Sequence, residues 1–486
     1  MRKRFPAAIS VFLLAAVLFA CGSGGETLAS TDDVSDSVSD TATTEESLFK
    51  IPREDNDGRD FTILVPTDYA YEFPEETDGE VMNDILFDRN AQTEDYFGIN
   101  IICRFEPGHW DSKETYNKLI SEAVLAGDSV YDLTGGMISC TVPAFMQGIF
   151  ADINQYPDID LDNPWWFKGL REDLSINRHL WFVVGDASIS VYKNAVVTYF
   201  NKQVLEDHGL EDPYALTREG SWTMEKLLQM SEAVLADLNG DSVIKPDDDR
   251  IGCYLQDVPL RLAGNAFDVR IFDLDSDGKV VRNTGVMERL IEAYGYTKLF
   301  FEVDYLYDNE AAVDFMQIVS NLAEDRALFH ISYLYVTESD IMRNMKSDFG
   351  ILPYPKLNEE QESHITPIAT STNLLFIPLT ASDIPLTCRV AEAFGYFNMT
   401  QTVPAYYEVA LQEKYTRDNE VRDMLSLIRG SMRLSFDCCY GTTFQLNGGM
   451  SNPGTLLAFA KKDMASFYES KVAAWDVFVE KLNAIE

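Results

Sequence analysis

Histidine is scarce in this chain. Five occur in 486 residues, at His109, His179, His208, His330 and His364, and no two stand at the spacing of a metal pair. Basic residues are also few: 39 Lys and Arg face 79 Asp and Glu, a net charge of −40. A body this acidic repels phosphate backbones and anionic lipid headgroups, which excludes nucleic acid as a partner and leaves neutral or cationic ones. GxSxG, HExxH and P-loop spacings are missing, and with them the local signatures of serine hydrolases, zinc peptidases and nucleotide-binding loops. A two-carboxylate glycoside hydrolase needs no local signature, so it stays an alternative. No CxxC pair occurs. The seven cysteines are Cys21, Cys103, Cys140, Cys253, Cys388, Cys438 and Cys439. Their spacing is irregular, and a body of this size needs no covalent staples, so most of the last six read as small buried apolar residues. Aromatic residues are absent between Cys21 and Phe49.

What is present begins with a leader. Met1-Arg2-Lys3-Arg4 is a positive start, and residues 5–20 are apolar and uncharged. Sixteen residues fall short of the roughly 20 that span a bilayer, so the segment reads as a secretory signal. It ends in Leu18-Phe19-Ala20-Cys21, which resembles a bacterial lipobox, with Phe19 bulkier than the usual small residue. Cleavage after residue 20 and diacylation of Cys21 would tie the chain to the outer face of the cell membrane. Residues 21–57 then read as the lipidated cysteine and a flexible acidic tether, too poor in apolar side chains to fold.

The body behind it is 46% hydrophobic and long enough for two or three domains. Residues 61–66 (FTILVP), 99–105 (INIICRF) and 129–136 (SVYDLTGG) predict strands. Between them, apolar spacing predicts helices over 81–97 and after Asp111, where Asp111 and Glu114 suggest a capping box. Alternating strands and helices predict an open parallel sheet, whose ligands gather beyond the carboxyl ends of the strands. That puts Asp68 and Tyr69 after the first strand, and Gly135 and Gly136 in a loop after the third, on one rim. Further strands are expected in 194–201, 348–356 and 372–379, a helix opening at Ser221, and helix over 455–484.

The chain resembles extracellular solute-binding proteins of carbohydrate ABC importers, the family 1-like lipoproteins. The resemblance rests on an ordered series: the lipobox, "DRNAQTEDYFGINI" (88–101), "YDLTGG" (131–136), "GIFADIN" (148–154) before "NPWW" (163–166), "YFNKQVLEDHGLEDPY" (199–214) before "GSWTMEKL" (220–227), "DLNGDSVIKPDDDRIG" (237–252), "FGILPYPK" (349–356) and "VPAYYEVALQEKYTRDNEVRDML" (403–425). It implies a two-lobe, type II periplasmic-binding-protein-like α/β fold with a ligand cleft between the lobes. By analogy, lobe 1 takes residues 58–187 and 356–400, and lobe 2 takes 188–355 and 401–486. It also implies a monomer that closes about a hinge on its solute and hands it to a membrane permease, without chemistry. A non-transporting surface sensor or adhesin of the same fold is a third alternative.

Sugar sites pair flat aromatic faces with carboxylates and amides. On that ground Trp165, Trp166, Trp222 and Tyr406 join the rim residues as ligand candidates, with Ser371 and Thr372 behind them. A tryptophan beside another tryptophan equally fills a core, and Trp222 could anchor a helix start. No organic cofactor is expected. Asp237, Asn239, Asp241 and Asp248 stand at positions one, three, five and twelve of an EF-hand-like loop, with the Val243 carbonyl at seven, which suggests structural calcium. Ser242 replaces the glycine usual at six. A second acidic run, 273–279, reads instead as a hairpin turn on Asp277-Gly278.

Overall fold

The apolar run Phe61–Val65 organises the first sheet. It lies in β1 (Arg59–Pro66), where Phe61, Ile63, Leu64 and Val65 are fully buried. β1 runs parallel to β2 (Ile99–Glu106) on one side, with Ile63 opposite Cys103, and to β3 (Leu133–Met137) on the other. The helix Val81–Phe97 makes the crossover and stops at Gly98, whose φ of 61° lies in the left-handed region. A side chain there would place its Cβ 2.8 Å from the Asn56 backbone nitrogen, so glycine is required on two counts. The next helix, Lys113–Ala126, has Ser112 at its N-cap; the expected capping role of Asp111 is not realised, although Glu114 lies in the first turn. A computed structural model describes residues 48–246, 248–255, 257–308, 315–408, 419–448 and 463–485. Cys21, the tether up to residue 47 and residues 455–462 of the expected last helix lie outside the described residues.

β4 (Val196–Asn201), wholly buried, opens the second sheet. β5 (Ile251–Leu255), β8 (Leu306–Asp308), β9 (Ala327–Tyr333) and β10 (Phe349–Pro353) complete it in the order β10-β4-β9-β5-β8. Between β5 and β8, β6 (Phe272–Leu274) and β7 (Val280–Arg282) form the expected hairpin, turning at Gly278 with φ 78°. β11 (Thr366–Pro367) pairs with β13 (Met432–Arg433), and β12 (Asn373–Phe376) returns to the first sheet, antiparallel to β3, giving the order β12-β3-β1-β2.

The chain therefore passes between the sheets along residues 188–195 and again along 366–372. The two passages are bonded to each other: Ala369 N donates to Asn194 O at 3.0 Å, and Ala195 bridges Ile368. A third passage follows the helix Ile384–Phe397 through a π-helical turn, Asn398–Thr402, where Asn398 Nδ2 donates to Asp186 O at 2.8 Å.

The helix Phe436–Gly448 buries Tyr440 against Phe145 and Phe182, at 5.5 and 6.2 Å between ring centroids. The Tyr440 hydroxyl donates to Leu174 O at 2.7 Å. Apolar burial holds this helix on residues 145–182. Phe49–Glu486 forms one compact unit. The six described cysteines are free thiols, five buried and Cys103 half-buried, as expected of apolar filler.

Within β9, His330 is fully buried, and both ring nitrogens lack a hydrogen-bond partner among the described residues. Burial pushes its pKa down from 6.5 to about 3. The folded value lies below the unfolded one, so as pH falls the unfolded chain takes the proton first. This group's contribution is complete above pH 6.5 and is lost progressively between 6.5 and about 3. Replacing His330 by Leu is expected to flatten the pH dependence of the unfolding free energy in urea across that window, by up to about 1.4 kcal/mol per pH unit. Equal slopes in wild type and variant would refute it.

Candidate functional site

Beyond β1 the chain turns through Thr67–Glu72 as a 3-10 segment. Asp68 is exposed there, Tyr69 is buried with its hydroxyl donating to Ser371 O, and Tyr71 is 38% exposed. Facing Tyr71, the Lys193 ammonium lies 4.8 Å from its ring centroid. Lys193 pairs with Glu338 at 2.7 Å, and the Tyr406 hydroxyl donates to the other Glu338 oxygen at 3.1 Å. Tyr335 stands beside them, stacked on Tyr333 at 5.2 Å with 11° between ring planes. Ser139, Thr370 and Ser371 are half-buried along the same ends of β3 and β12. The structure thus joins Tyr69 and Tyr406 through Tyr71, Lys193 and Glu338, with Asp68 exposed beside Tyr69. The result is a rim on which Tyr71 and Tyr335 show partly exposed faces beside hydroxyls and one ion pair, while Tyr69 and Tyr406, 5% and 2% exposed, pack beneath it; its open part is fit to bind a neutral polar molecule.

The rim is fastened from beneath by Glu72, which is 1% exposed. Its carboxylate accepts from Ser188 Oγ at 2.6 Å, Ser190 N at 2.7 Å and Asn373 Nδ2 at 2.8 Å. Those donors lie on the first passage and at the start of β12. Burial raises the Glu72 pKa, while these three bonds and the Arg89 charge pull it back. Arg89, itself fully buried, donates to Glu72 O and lies over the rings of Phe73 and Phe394 at 5.0 and 4.6 Å.

Other expected site residues serve packing. Gly135 and Gly136 are not in a loop but inside β3; a Cβ on Gly136 would lie 2.3 Å from Thr141 Oγ1 and one on Gly135 2.8 Å from Asn373 Oδ1, so their smallness permits close packing. Trp165 and Trp166 are 1% and 3% exposed, and both indole N–H groups donate to Glu392, at 2.7 and 2.8 Å. Asp160 N and Asn163 Nδ2 fill the remaining positions on that carboxylate at 2.7 and 2.9 Å. Trp222 precedes the helix Met224–Ala233, is fully buried, donates to Pro353 O at 3.1 Å and packs on Phe329. Thr372 is buried. Tyr71, Lys193, Tyr335 and Glu338 escape sequence reasoning because residues 327–333 carry no strand signal as clear as the others, and the carboxyl end of that strand carries two of them. Glu72 had a signal: an acid just past an apolar strand, beside the rim residues already chosen.

The acidic loop turns its oxygens inward. Asp237 accepts from Gly240 N and Ser242 N, each at 2.7 Å, and Asn239 and Asp241 accept from Asp241 N and Val243 N, each at 2.8 Å. Ser242 adopts φ 64°, the turn usually given to glycine. Asp241 also pairs with Lys245 at 3.0 Å, and Asp248 is exposed. Buried Asp249, next in sequence, ties Leu238 N and Lys245 N, each at 2.8 Å. Among the described residues, no three acidic, His or Cys side chains form a group that could hold a metal ion.

With the two sheets, their passages and the rim in place, comparison with solved structures is decisive for the fold. The maltose/maltodextrin-binding domain MalE from Bdellovibrio bacteriovorus, bound to maltotriose, aligns over 86% of this chain and 99% of its own, at 13% identity and a TM-score of 0.50. The fold is that of the type II periplasmic-binding-protein-like proteins. An ABC transporter solute-binding protein from Agrobacterium radiobacter K84, in complex with ribitol, covers 88% of this chain and 100% of its own, again at 13% identity and 0.50. No family model and no curated protein matches the sequence.

Replacing Glu72 by Ala strands Ser190 N and Asn373 Nδ2 in the interior of this type II fold, while the bond from Arg89 to the Glu72 carbonyl oxygen stays. A loss of about 3 kcal/mol is expected in urea denaturation, with a smaller loss for Glu72→Gln, which keeps an acceptor. Equal stability of Glu72→Ala and wild type would remove Glu72 from its central place.

Proposed function

We propose that this chain is a non-enzymatic, lipid-anchored solute-binding protein that captures a sugar, oligosaccharide or polyol at the Tyr71–Lys193–Glu338–Tyr406 rim and passes it to an ABC permease. The single observation that supports this most is the rim itself, placed at the strand ends of a fold whose similar structures hold maltotriose in one case and ribitol in another. Its aromatic faces suit the C–H face of a pyranose, and its hydroxyls and ion pair offer both donors and acceptors. Closure about the three passages would follow from a solute that contacts both halves only when they approach. Cleavage of residues 1–20 and diacylation of Cys21 would hold the protein on the outer face of the membrane. The lobe limits 58–187 with 356–400, and 188–355 with 401–486, belong to this proposal, with the helix Phe436–Gly448 spanning them.

A thermal-shift screen against mono- and oligosaccharides and polyols tests it. A specific solute is expected to raise Tm by mass action, and Lys193→Met and Tyr71→Ala are expected to weaken that shift at least about tenfold in ligand concentration. A shift that survives both substitutions would place the solute elsewhere, and release of product from an oligosaccharide would make the protein a hydrolase. Metabolic labelling with palmitate, lost in Cys21→Ser, tests the anchor. Structural calcium at Asp237, Asn239, Asp241 and Asp248 is a separate proposal: a fall in Tm on chelation would support it, and an unchanged Tm would overturn it.

A further inference from the structure

Tyr192 is buried between Tyr406 and a cavity. On one side its ring lies 6.4 Å from that of Tyr406, which belongs to the rim. On the other it meets Tyr407 edge-on at 5.7 Å, and its hydroxyl is held by Asp186 and by Arg429 Nε at 3.0 Å. Beyond Tyr407 lies a cavity of 540 Å³, between residues 164–168 and the C-terminal end of the helix Asn419–Ser431, lined among others by Trp166, Lys168, Tyr407, Ser426, Arg429 and Gly430. A neighbouring cavity of 620 Å³ shares Pro164, Trp166 and Lys168 with it.

The lining carries unused hydrogen-bonding capacity. The Tyr407 hydroxyl is buried and has no partner among the described residues, which is costly unless something arrives to meet it. Arg429 uses Nε on Tyr192 and Nη2 on Asp186, at 2.6 Å, leaving Nη1 without a partner among the described residues. The Ser426 hydroxyl, which donates to Arg422 O, can still accept. Trp166 contributes an aromatic wall whose indole N–H is already committed to Glu392. The Arg429 charge is matched by Asp186 in direct contact, and the remaining cation, Lys168, is exposed at the edge. In a protein of net charge −40 this disfavours an anion inside.

We propose that this cavity is a second binding site, for a neutral polyhydroxylated molecule of monosaccharide or polyol size. Hydroxyl oxygens of such a ligand would accept from Tyr407 and Arg429 Nη1, its hydroxyls would donate to Ser426, and its carbon face would lie on the aromatic wall. The site is separate from the rim, and neither reading requires the other.

The test is calorimetric titration of glucose, ribitol and glycerol, with glucuronate and inorganic phosphate as charged counterparts, into wild type, Gly430→Phe, Tyr407→Phe and Lys193→Met. Gly430 is suited to the blocking variant because a Cβ there meets nothing within 4 Å. Binding of a neutral polyol that disappears in Gly430→Phe, weakens about tenfold in Tyr407→Phe and persists in Lys193→Met supports the site. If Gly430→Phe does not fold, the comparison of Tyr407→Phe, which removes one oxygen, with Lys193→Met decides between the two sites. The proposal is overturned if all polyol binding vanishes in Lys193→Met while surviving Gly430→Phe and Tyr407→Phe, which would leave the rim alone. It is also overturned if only glucuronate or phosphate binds, or if no neutral polyol binds at about 10 mM.

Discussion

A carboxylate taken out of water must be met by donors, and Glu72 meets that demand with donors from distant parts of the chain. The acid follows β1, one donor pair lies on the passage into the second sheet, and another donor lies at the return to the first. A single buried charge therefore fixes where three segments meet. The rim is built on those segments: Tyr71 precedes Glu72 directly, Lys193 follows Ser190 by three residues, and Ser371 precedes Asn373 by two. Arg89, held between two aromatic rings, adds a positive charge that opposes the rise in the Glu72 pKa caused by burial.

Glu392 repeats the device on the other flank. Four donors converge on it, two of them the indoles of Trp165 and Trp166. Those side chains carry large apolar faces with one polar point each, and a buried acid satisfies both points at once. Having been used this way, the tryptophans leave the partly exposed rim positions to Tyr71 and Tyr335. Asp186 differs: it is bound by the Tyr192 hydroxyl and by Arg429, and burial raises its pKa to about 6 despite the Arg429 charge. Its partners come from the first passage and the helix Asn419–Ser431, so this pair joins the segment before the first passage to the chain after the third.

Legibility followed sequence distance. FTILVP and NAVVTYFN announce strands because burial on both faces demands unbroken apolar runs. DSDG announces a hairpin because only a few residue types tolerate its turn. One strand-end rule and one aromatic rule sufficed to bring Asp68, Tyr69 and Tyr406 near the strand ends, but not to foresee that Tyr69 and Tyr406 are buried there while Asp68 is exposed. Lys193 and Glu338 were not, since their meeting depends on a pairing between β4 and β9 that closes over 130 intervening residues. The burial of Trp165, Trp166 and Trp222 was equally hidden: each depends on an acceptor far along the chain, at Glu392 or Pro353.

By itself the sequence determined the α/β class, the alternation that builds the first sheet, the acidic hairpin and the apolar character of the cysteines, because each follows from local periodicity or composition. Tertiary structure alone decided which aromatics stay at the water's edge, which acids become internal hubs, and that the helix Phe436–Gly448 lies on residues 145–182. The reason is that burial of a polar group is settled by its partner, and in this protein the partners are separated by up to about three hundred residues, from Glu72 to Asn373.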